Sequence, residues 1–407
     1  MKKIVVGQSG GPTCVINSSL AGVFKGGKDL GVKVYGMRNG IQGFLEERIV
    51  DMGEYVRTDL DLELLKRTPS SYLGSCRYKL PAIEGNESVY DKIFEILKKN
   101  EIDAFFYIGG NDSMDTIAKL SAYAKKIGSG IRFMGVPKTV DNDLAITDHT
   151  PGFGSAAKFI ASMTKEVIRD SQVYDIKEVT VIEIMGRNAG WLTASAALAK
   201  GEDNEGVDLI YLPELDFDPK AFVAKVKELQ ESGKKSVVAA VSEGIHTADG
   251  KYVFELGSHT EFVDAFGHKQ LSGTASFLAN MINAEIGCKT RAIEYSAMQR
   301  CASHIASLTD VTEAFSVGTA AVKAANEGET GKVILLTRTS DNPYICTTGI
   351  HDVNDIANVE KKVPAEWIIN DGTNVGEGFV NYALPLIQGE VSPIMVQGKP
   401  AHLVLPR

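Results

Sequence analysis

The sequence predicts an α/β fold of doubly wound parallel sheets, and two observations carry that expectation. Short β-branched or aromatic runs alternate with longer stretches whose apolar residues recur at helical spacing. Most of the runs, such as 104–108, 237–241 and 333–336, are apolar throughout, as strands buried on both faces require. Strands are expected near 3–6, 33–37, 103–108, 131–136, 178–184, 207–211, 236–241, 291–296 and 333–337. Amphipathic helices are expected over 15–26, 90–99, 115–127, 156–169 and 219–229. Ligand crevices in such sheets open at the carboxyl ends of the strands, which is where the polar, glycine-rich loops of this chain fall.

With 407 residues, 44% of them hydrophobic and 23% charged, the chain belongs with globular proteins and can build two or three cores. Its net charge of -9 argues against nucleic acid as the main partner, so an anionic substrate needs a local basic site. Five cysteines, Cys14, Cys76, Cys288, Cys301 and Cys346, show no CxxC spacing, which fits a reduced cytoplasm without a disulfide framework. The chain enters a strand at once, without the apolar region of an export signal, and no apolar run is long enough to cross a bilayer. A soluble cytoplasmic protein is expected, with no membrane partner. No repeat or linker separates domains. The best boundary lies at 149–155, where Pro151, Gly152 and Gly154 interrupt the pattern before a helix that Ser155 is expected to cap.

The first loop, Gly7-Gln8-Ser9-Gly10-Gly11-Pro12-Thr13, lies between a strand and a helix, where bare N–H groups can hold an anion. It lacks the Lys-Ser/Thr ending of a P-loop and the GxGxxG of a dinucleotide fingerprint. Gly109-Gly110-Asn111-Asp112-Ser113 follows the next apolar run, with a helix expected from Met114 that Asp112 or Ser113 could cap. About 28 residues on comes Pro137-Lys138-Thr139-Val140-Asp141-Asn142-Asp143, two carboxylates around an asparagine, for which an Asx-turn is the plain alternative. Together these junctions supply what phosphoryl transfer needs: N–H groups for phosphate, carboxylates for Mg²⁺ and a base, and a cation for developing charge.

Met185-Gly186-Arg187 and Ser242-Glu243-Gly244 end two further strands. They offer a guanidinium for a phosphate monoester and a carboxylate for a sugar hydroxyl, although taken alone the first reads better as a solvated arginine and the second has a plain turn as its alternative. Arg291 and Arg300 bracket Tyr295 and Gln299, and two arginines can trap one phosphate. Arg77 adds a cation after the Gly74 break. None of the seven histidines pairs at metal-ligand spacing and no Ser/His/Asp or Cys/His order stands out, which leaves zinc hydrolysis and acyl transfer without support.

In order and spacing, Ser9-Gly10-Gly11, Gly109 to Ser113, Pro137 to Asp143, Pro151 to Lys158, Met185 to Arg187, Ser242 to Gly244 and Gln299-Arg300 resemble the 6-phosphofructokinase family over roughly residues 1–340. The resemblance implies two Rossmann-like doubly wound sheets with the active site in the cleft between them. Residues 1–150 with about 299–340 would bind the donor, residues 151–298 would bind the sugar phosphate, and 341–407 form an extension without an assigned role. It implies Asp141 as general base, with Lys138 and Asp112 at the reacting phosphates. Gly10, Gly11, Arg77 and Ser113 would cradle the donor, and Asn111 would be the Mg²⁺ ligand where many members carry aspartate. Thr139, Val140, Asp143, Met185, Gly186, Arg187, Glu243, Arg291, Tyr295 and Arg300 would hold fructose 6-phosphate.

At positions 112 and 138 ATP-using members typically carry glycine. Asp112 and Lys138 resemble the pyrophosphate-using members, with Lys138 balancing the Asp112 charge. Two positions depart from the bacterial pattern. Ala297 replaces a phosphate-binding histidine, for which Tyr295 is the available substitute, and Glu178 replaces an arginine that crosses a subunit interface, with Lys177 beside it. Active sites shared between subunits imply a homodimer or homotetramer. The competing readings are an ATP-dependent phosphofructokinase, a non-catalytic phosphosugar-binding regulator, and a lipid or nicotinamide-nucleotide kinase.

Overall fold

The computed structural model describes residues 1–257 and 271–406. Among these, eleven strands build two sheets. They are β1 (Lys3–Gln8), β2 (Lys33–Met37), β3 (Ile49–Asp51), β4 (Ala104–Gly109), β5 (Arg132–Pro137), β6 (Glu178–Ile184), β7 (Leu209–Tyr211), β8 (Ser236–Ser242), β9 (Lys289–Glu294), β10 (Lys332–Asp341) and β11 (Tyr344–Asp352). All nine expected strands are present. The two additions, β3 and β11, are antiparallel edge strands half open to solvent, whose mixed composition conceals them from a search for buried apolar runs.

The first sheet runs β11-β10-β5-β4-β1-β2-β3, with β10, β5, β4, β1 and β2 mutually parallel. Its connections reverse direction beside β1, so the loops after β1 and β4 flank the crevice where ligands bind such sheets. The second sheet, β7-β8-β6-β9, is parallel throughout. Ile4, Val6, Phe106 and Ile108 share one buried core with helices Ile16–Asp29 and Leu308–Glu327, and Phe105, Tyr107 and Phe133 share another across the sheet.

Helix Leu308–Glu327 follows the second sheet in sequence yet returns to the first, lying against Ile16–Asp29 with almost no side-chain spacing. A Cβ at Gly318 would stand 2.1 Å from the Ser19 carbonyl oxygen, and one at Gly22 would stand 2.1 Å from that of Phe315. Glycine on both partners is what lets the two backbones touch.

Helix Phe153–Ser171 begins two residues before the expected cap. Its cap comes from elsewhere: buried Asp310 accepts from the Gly152 and Ser155 amides at 2.9 and 2.8 Å. Ser155 instead sits in the first turn and accepts from the Ser307 amide at 3.2 Å.

Residues beyond 341 are integral to both sheets' cores. After β11 the chain passes beneath the junction of the sheets, where Val375, Phe379, Ala383 and Leu386 join the core around Trp191, and Leu405 returns to the core of the first sheet. No helix among the described residues is long and apolar enough to cross a membrane.

Gly318→Ala is expected to lower the denaturant midpoint. Forcing the two backbones apart costs on the order of 1–3 kcal/mol, which exceeds the gain of up to about 1 kcal/mol from better helix propensity. An unchanged or raised midpoint would show that the helices separate freely.

Candidate active site

The loop after β1 turns on Gly10, whose φ of 74° favours a residue without a Cβ. The Ser9 amide donates to the Ile108 carbonyl at 3.0 Å and the Gly10 amide to the Cys76 carbonyl at 3.2 Å, which anchors this loop to β4 and to the segment carrying Arg77. After β4 the next helix starts at Asn111, with Gly110 as N-cap. Asn111, Asp112 and Ser113 therefore form the first helical turn, and neither Asp112 nor Ser113 is the cap. Gly109 is dictated by packing, since a Cβ there would lie 1.9 Å from the Ser113 hydroxyl.

The loop after β5 is held from several sides. The Lys138 amide donates to the Gly109 carbonyl at 3.0 Å, and its Nζ donates to the Gly11 carbonyl at 2.7 Å. The Thr139 hydroxyl accepts from the Asp141 amide at 3.1 Å and lies 3.4 Å from an Asp141 carboxylate oxygen. Asn142 adopts a left-handed conformation with φ of 54°. Its side chain makes no local Asx-turn: Oδ1 accepts from the Thr150 amide at 3.0 Å, and Nδ2 donates to the Tyr382 hydroxyl at 2.9 Å.

From the second sheet, Met185, Arg187 and Glu243 face the same space, joined by Arg300 from the turn after β9. Gln299 ties that turn to β6, accepting from the Met185 amide at 3.3 Å and donating to the Ser296 carbonyl at 3.0 Å. Glu243 accepts from the Gly186 amide at 3.3 Å.

The result is a cleft of about 390 Å³. It gathers Gly10, Gly11, Arg77, Asn111, Asp112, Ser113, Lys138, Thr139, Val140, Asp141, Asp143, Met185, Arg187, Glu243 and Arg300, all named from the sequence. Gly186 supports the wall without lining it; its φ is 139°, and a Cβ would lie 2.7 Å from the Ala189 carbonyl oxygen.

Arg291 and Tyr295 are not brought to this cleft. Arg291 sits near the start of β9, at the opposite end from the crevice, and pairs with Asp170 at 2.6 Å and Glu178 at 3.5 Å. Tyr295 is buried, its hydroxyl 3.0 Å from that of Thr164, so it does not take the place of the histidine missing at Ala297. Buried Glu178 is engaged by Lys289 at 2.6 Å as well.

Sequence reading did not single out Asn188, Ala189 and Glu360 of the cleft wall. Asn188 and Ala189 simply continue a recognised motif. Glu360 comes from the segment beyond β11 and accepts from Asn188 at 3.1 Å, and no local pattern marks it. A larger hollow of about 780 Å³ lies against β11, lined among the described residues by Leu308, Ile345 and several threonines without a lysine or arginine, so the smaller cleft, with its cations and carboxylates, is the candidate site.

Two charged poles face each other there. Burial lowers the Lys138 amine to about 8, offset in part by Asp141 and Asp143. Burial raises the Asp141 carboxyl, opposed chiefly by Lys138, and pushes Asp143 up to about 7, with Asp141 and Glu360 adding to the rise. Glu243 is raised to about 8, again mainly by burial. Arg77 is lowered by burial and by the fields of Arg300 and Arg187, a cationic crowd that a phosphate would relieve. Asp112 is met by Lys79 at 3.9 Å, whereas Lys138 feels Asp141 and Asp143, so Lys138 is not the balancing partner of Asp112. On the acidic side the Asn111 Oδ1 is buried without a hydrogen-bond partner among the described residues. A bare amide oxygen beside carboxylates that repel one another fits a hard divalent cation.

Two doubly wound sheets with anion-binding loops, a lysine and paired carboxylates at their facing strand ends define a phosphotransferase of the α/β class. The chain belongs to the phosphofructokinase family, whose model, described as "Phosphofructokinase", matches residues 3–325. It is similar to the pyrophosphate--fructose 6-phosphate 1-phosphotransferase of Halomonas elongata, 42% identical over 400 residues, 97% of this chain and 93% of that protein. The enzyme of the same name from Methylococcus capsulatus is 42% identical over 404 residues, 98% of this chain and 94% of that one. The crystal structure of a pyrophosphate-dependent phosphofructokinase from Nitrosospira multiformis superposes with a TM-score of 0.88 at 37% identity, covering 100% of this chain and 98% of that one.

The buried carboxyls make stability depend on pH. Glu243 binds its proton more tightly folded than unfolded, about 8 against 4.5, so its contribution is fully present below pH 4.5 and is lost as pH rises through about 8. Glu243→Gln should therefore flatten the fall in denaturant midpoint between about pH 5 and 8 in the ligand-free chain. An identical slope in both proteins would show that Glu243 titrates normally.

Proposed function

We propose that this chain moves a phosphoryl group from pyrophosphate to the 1-hydroxyl of D-fructose 6-phosphate, giving fructose 1,6-bisphosphate and phosphate in a reversible reaction. Asp141 takes the hydroxyl proton, the alkoxide oxygen forms a bond to the terminal phosphorus, and the anhydride P–O bond breaks to release phosphate. Gly10, Gly11, Arg77 and Ser113 hold the donor, and Lys138 meets the charge that develops on its oxygens. Thr139 keeps Asp141 oriented, while Met185, Arg187, Glu243 and Arg300 hold the sugar phosphate. Catalysis is mainly alignment and charge neutralisation.

Phosphotransferases of this family generally need a divalent metal, and Mg²⁺ is the ion proposed here. Asn111 and Asp143 would hold it, and when bound it supplies positive charge to the phosphate oxygens.

The observation that carries the donor assignment is Asp112 in the wall of the cleft, beside the phosphate loop. A carboxylate about 4 Å from a further phosphate costs about 4 kcal/mol at an effective dielectric of 20, roughly a thousandfold in affinity. That figure is an upper bound, because Asp112 is 38% exposed and both Lys79 at 3.9 Å and the field of Arg77 offset part of its charge. Pyrophosphate ends before that point, whereas a nucleotide has to pass it. Residues 1–150 with about 299–340 act as the donor lobe and 151–298 as the acceptor lobe. The proposed working state is a cytoplasmic homodimer or homotetramer.

Coupled assays with each donor should show turnover with pyrophosphate and little with ATP; activity with ATP alone would overturn the assignment. Asp141→Asn is expected to lower kcat by about 10²- to 10⁴-fold with the fold intact by circular dichroism, as loss of a general base requires. A near-normal rate would remove Asp141 from that role. Asp112→Gly should tighten ATP binding in calorimetry, and unchanged affinity would refute the charge argument.

A further inference from the structure

The loop that carries Asp141 and Asp143 is supported from a distant part of the chain. The Lys361 amide donates to the Asp143 carbonyl at 2.7 Å, and Glu360 pairs with Leu144 in an isolated antiparallel bridge. The Lys361 side chain then crosses beneath the loop, its Nζ donating to the carbonyls of Asp148 at 2.7 Å and Thr147 at 3.2 Å. Its Nζ also lies 5.0 Å from the Trp191 ring centre, and the Trp191 indole N–H donates to the Lys361 carbonyl at 2.9 Å. One residue thus touches both ends of the loop and an anchor in the second lobe, four residues past Arg187.

Tyr382 makes a second tie. Its hydroxyl accepts from Asn142 Nδ2 at 2.9 Å and donates to the Asp148 carbonyl at 2.7 Å. Asn142 sits between the two carboxylates in a left-handed conformation that an asparagine holds only at a cost. The phenol therefore fixes the residue whose backbone sets the directions of Asp141 and Asp143. Its ring packs on Trp191 and Trp367 at 5.3 and 5.4 Å between centres.

We propose that Lys361 and Tyr382 are positioning residues for phosphoryl transfer, locking the 141–148 loop against the second lobe so that Asp141 and Asp143 point into the cleft. This rests on the function proposed above. Near neutral pH the two ties act on one element, so losing either frees the same loop. An error of about 1 Å in the position of a catalytic group costs on the order of 10²-fold in rate.

Lys361→Met keeps the stem against Trp191 and removes the Nζ bonds; Tyr382→Phe keeps the ring and removes the hydroxyl. Each is expected to lower kcat by about tenfold or more, with KM for fructose 6-phosphate and pyrophosphate within about twofold. Amide exchange over 141–148 should accelerate by about tenfold while exchange in β1 stays unchanged. The double variant should be little worse than either single one, as shared action on one loop requires. The chain's two tryptophans, Trp191 and Trp367, both lie in this cluster; their unchanged emission would certify packing in Tyr382→Phe, whereas Lys361→Met, which removes a charge 5.0 Å from Trp191, is checked by an unchanged cooperative denaturation slope. Wild-type loop exchange in both variants, with kcat preserved or lost, would overturn the positioning role. An unmodified chain that fails to turn over pyrophosphate would instead remove the functional reading, a separate result from an active chain with indifferent variants.

Discussion

The burial of Lys138 together with Asp141 and Asp143 is the constraint from which the rest of the structure follows. Charges removed from water persist only where opposite charge and hydrogen bonds replace the lost hydration. Here the replacement is incomplete: burial pushes the amine down to about 8 and Asp143 up to about 7, so the cluster is held at an electrostatic cost. In the proposed reaction, a phosphate at the basic pole and a cation at the acidic pole would relieve it and direct binding energy to the reacting atoms.

Such a cluster needs rigid surroundings. The strand ends provide part of that rigidity, because the loops after β1, β4 and β5 are bonded to one another through Ile108, Gly109 and Gly11. Helix Leu308–Glu327 provides another part, since its Asp310 caps the helix that opens the second lobe and its Gly318 lies flat on the first. The chain beyond β11 closes the arrangement from below, contributing Glu360 to the wall and filling the junction with Phe379, Tyr382 and Trp367.

Reading from residues alone went furthest where chemistry and backbone shape coincide. The apolar strands announced themselves because parallel strands are buried on both faces, and the loops after them combined glycines with charges that ordinary turns do not need. It went wrong where one residue's role is set by a partner far along the chain. Ser155 has the chemistry of a cap, but Asp310 arrives first. Arg291 resembles half of a phosphate clamp, but strand direction puts it at the far end of β9, against Asp170 and Glu178. Tyr295 follows the correct strand yet points into the core.

The amino-acid order by itself determined the α/β class and the polar loops at the strand ends, because local propensity and motif spacing are properties of neighbouring residues; the two sheets and the cleft between them were implied by the family resemblance that those motifs carry. Tertiary structure alone decided the cations around Asp112, the outward turn of Arg291, the entry of Glu360 into the cleft wall and the placement of Lys361 behind the 141–148 loop. Those outcomes depend on which residues tens to hundreds of positions apart come into contact, and contact between distant segments arises from packing that no local pattern encodes.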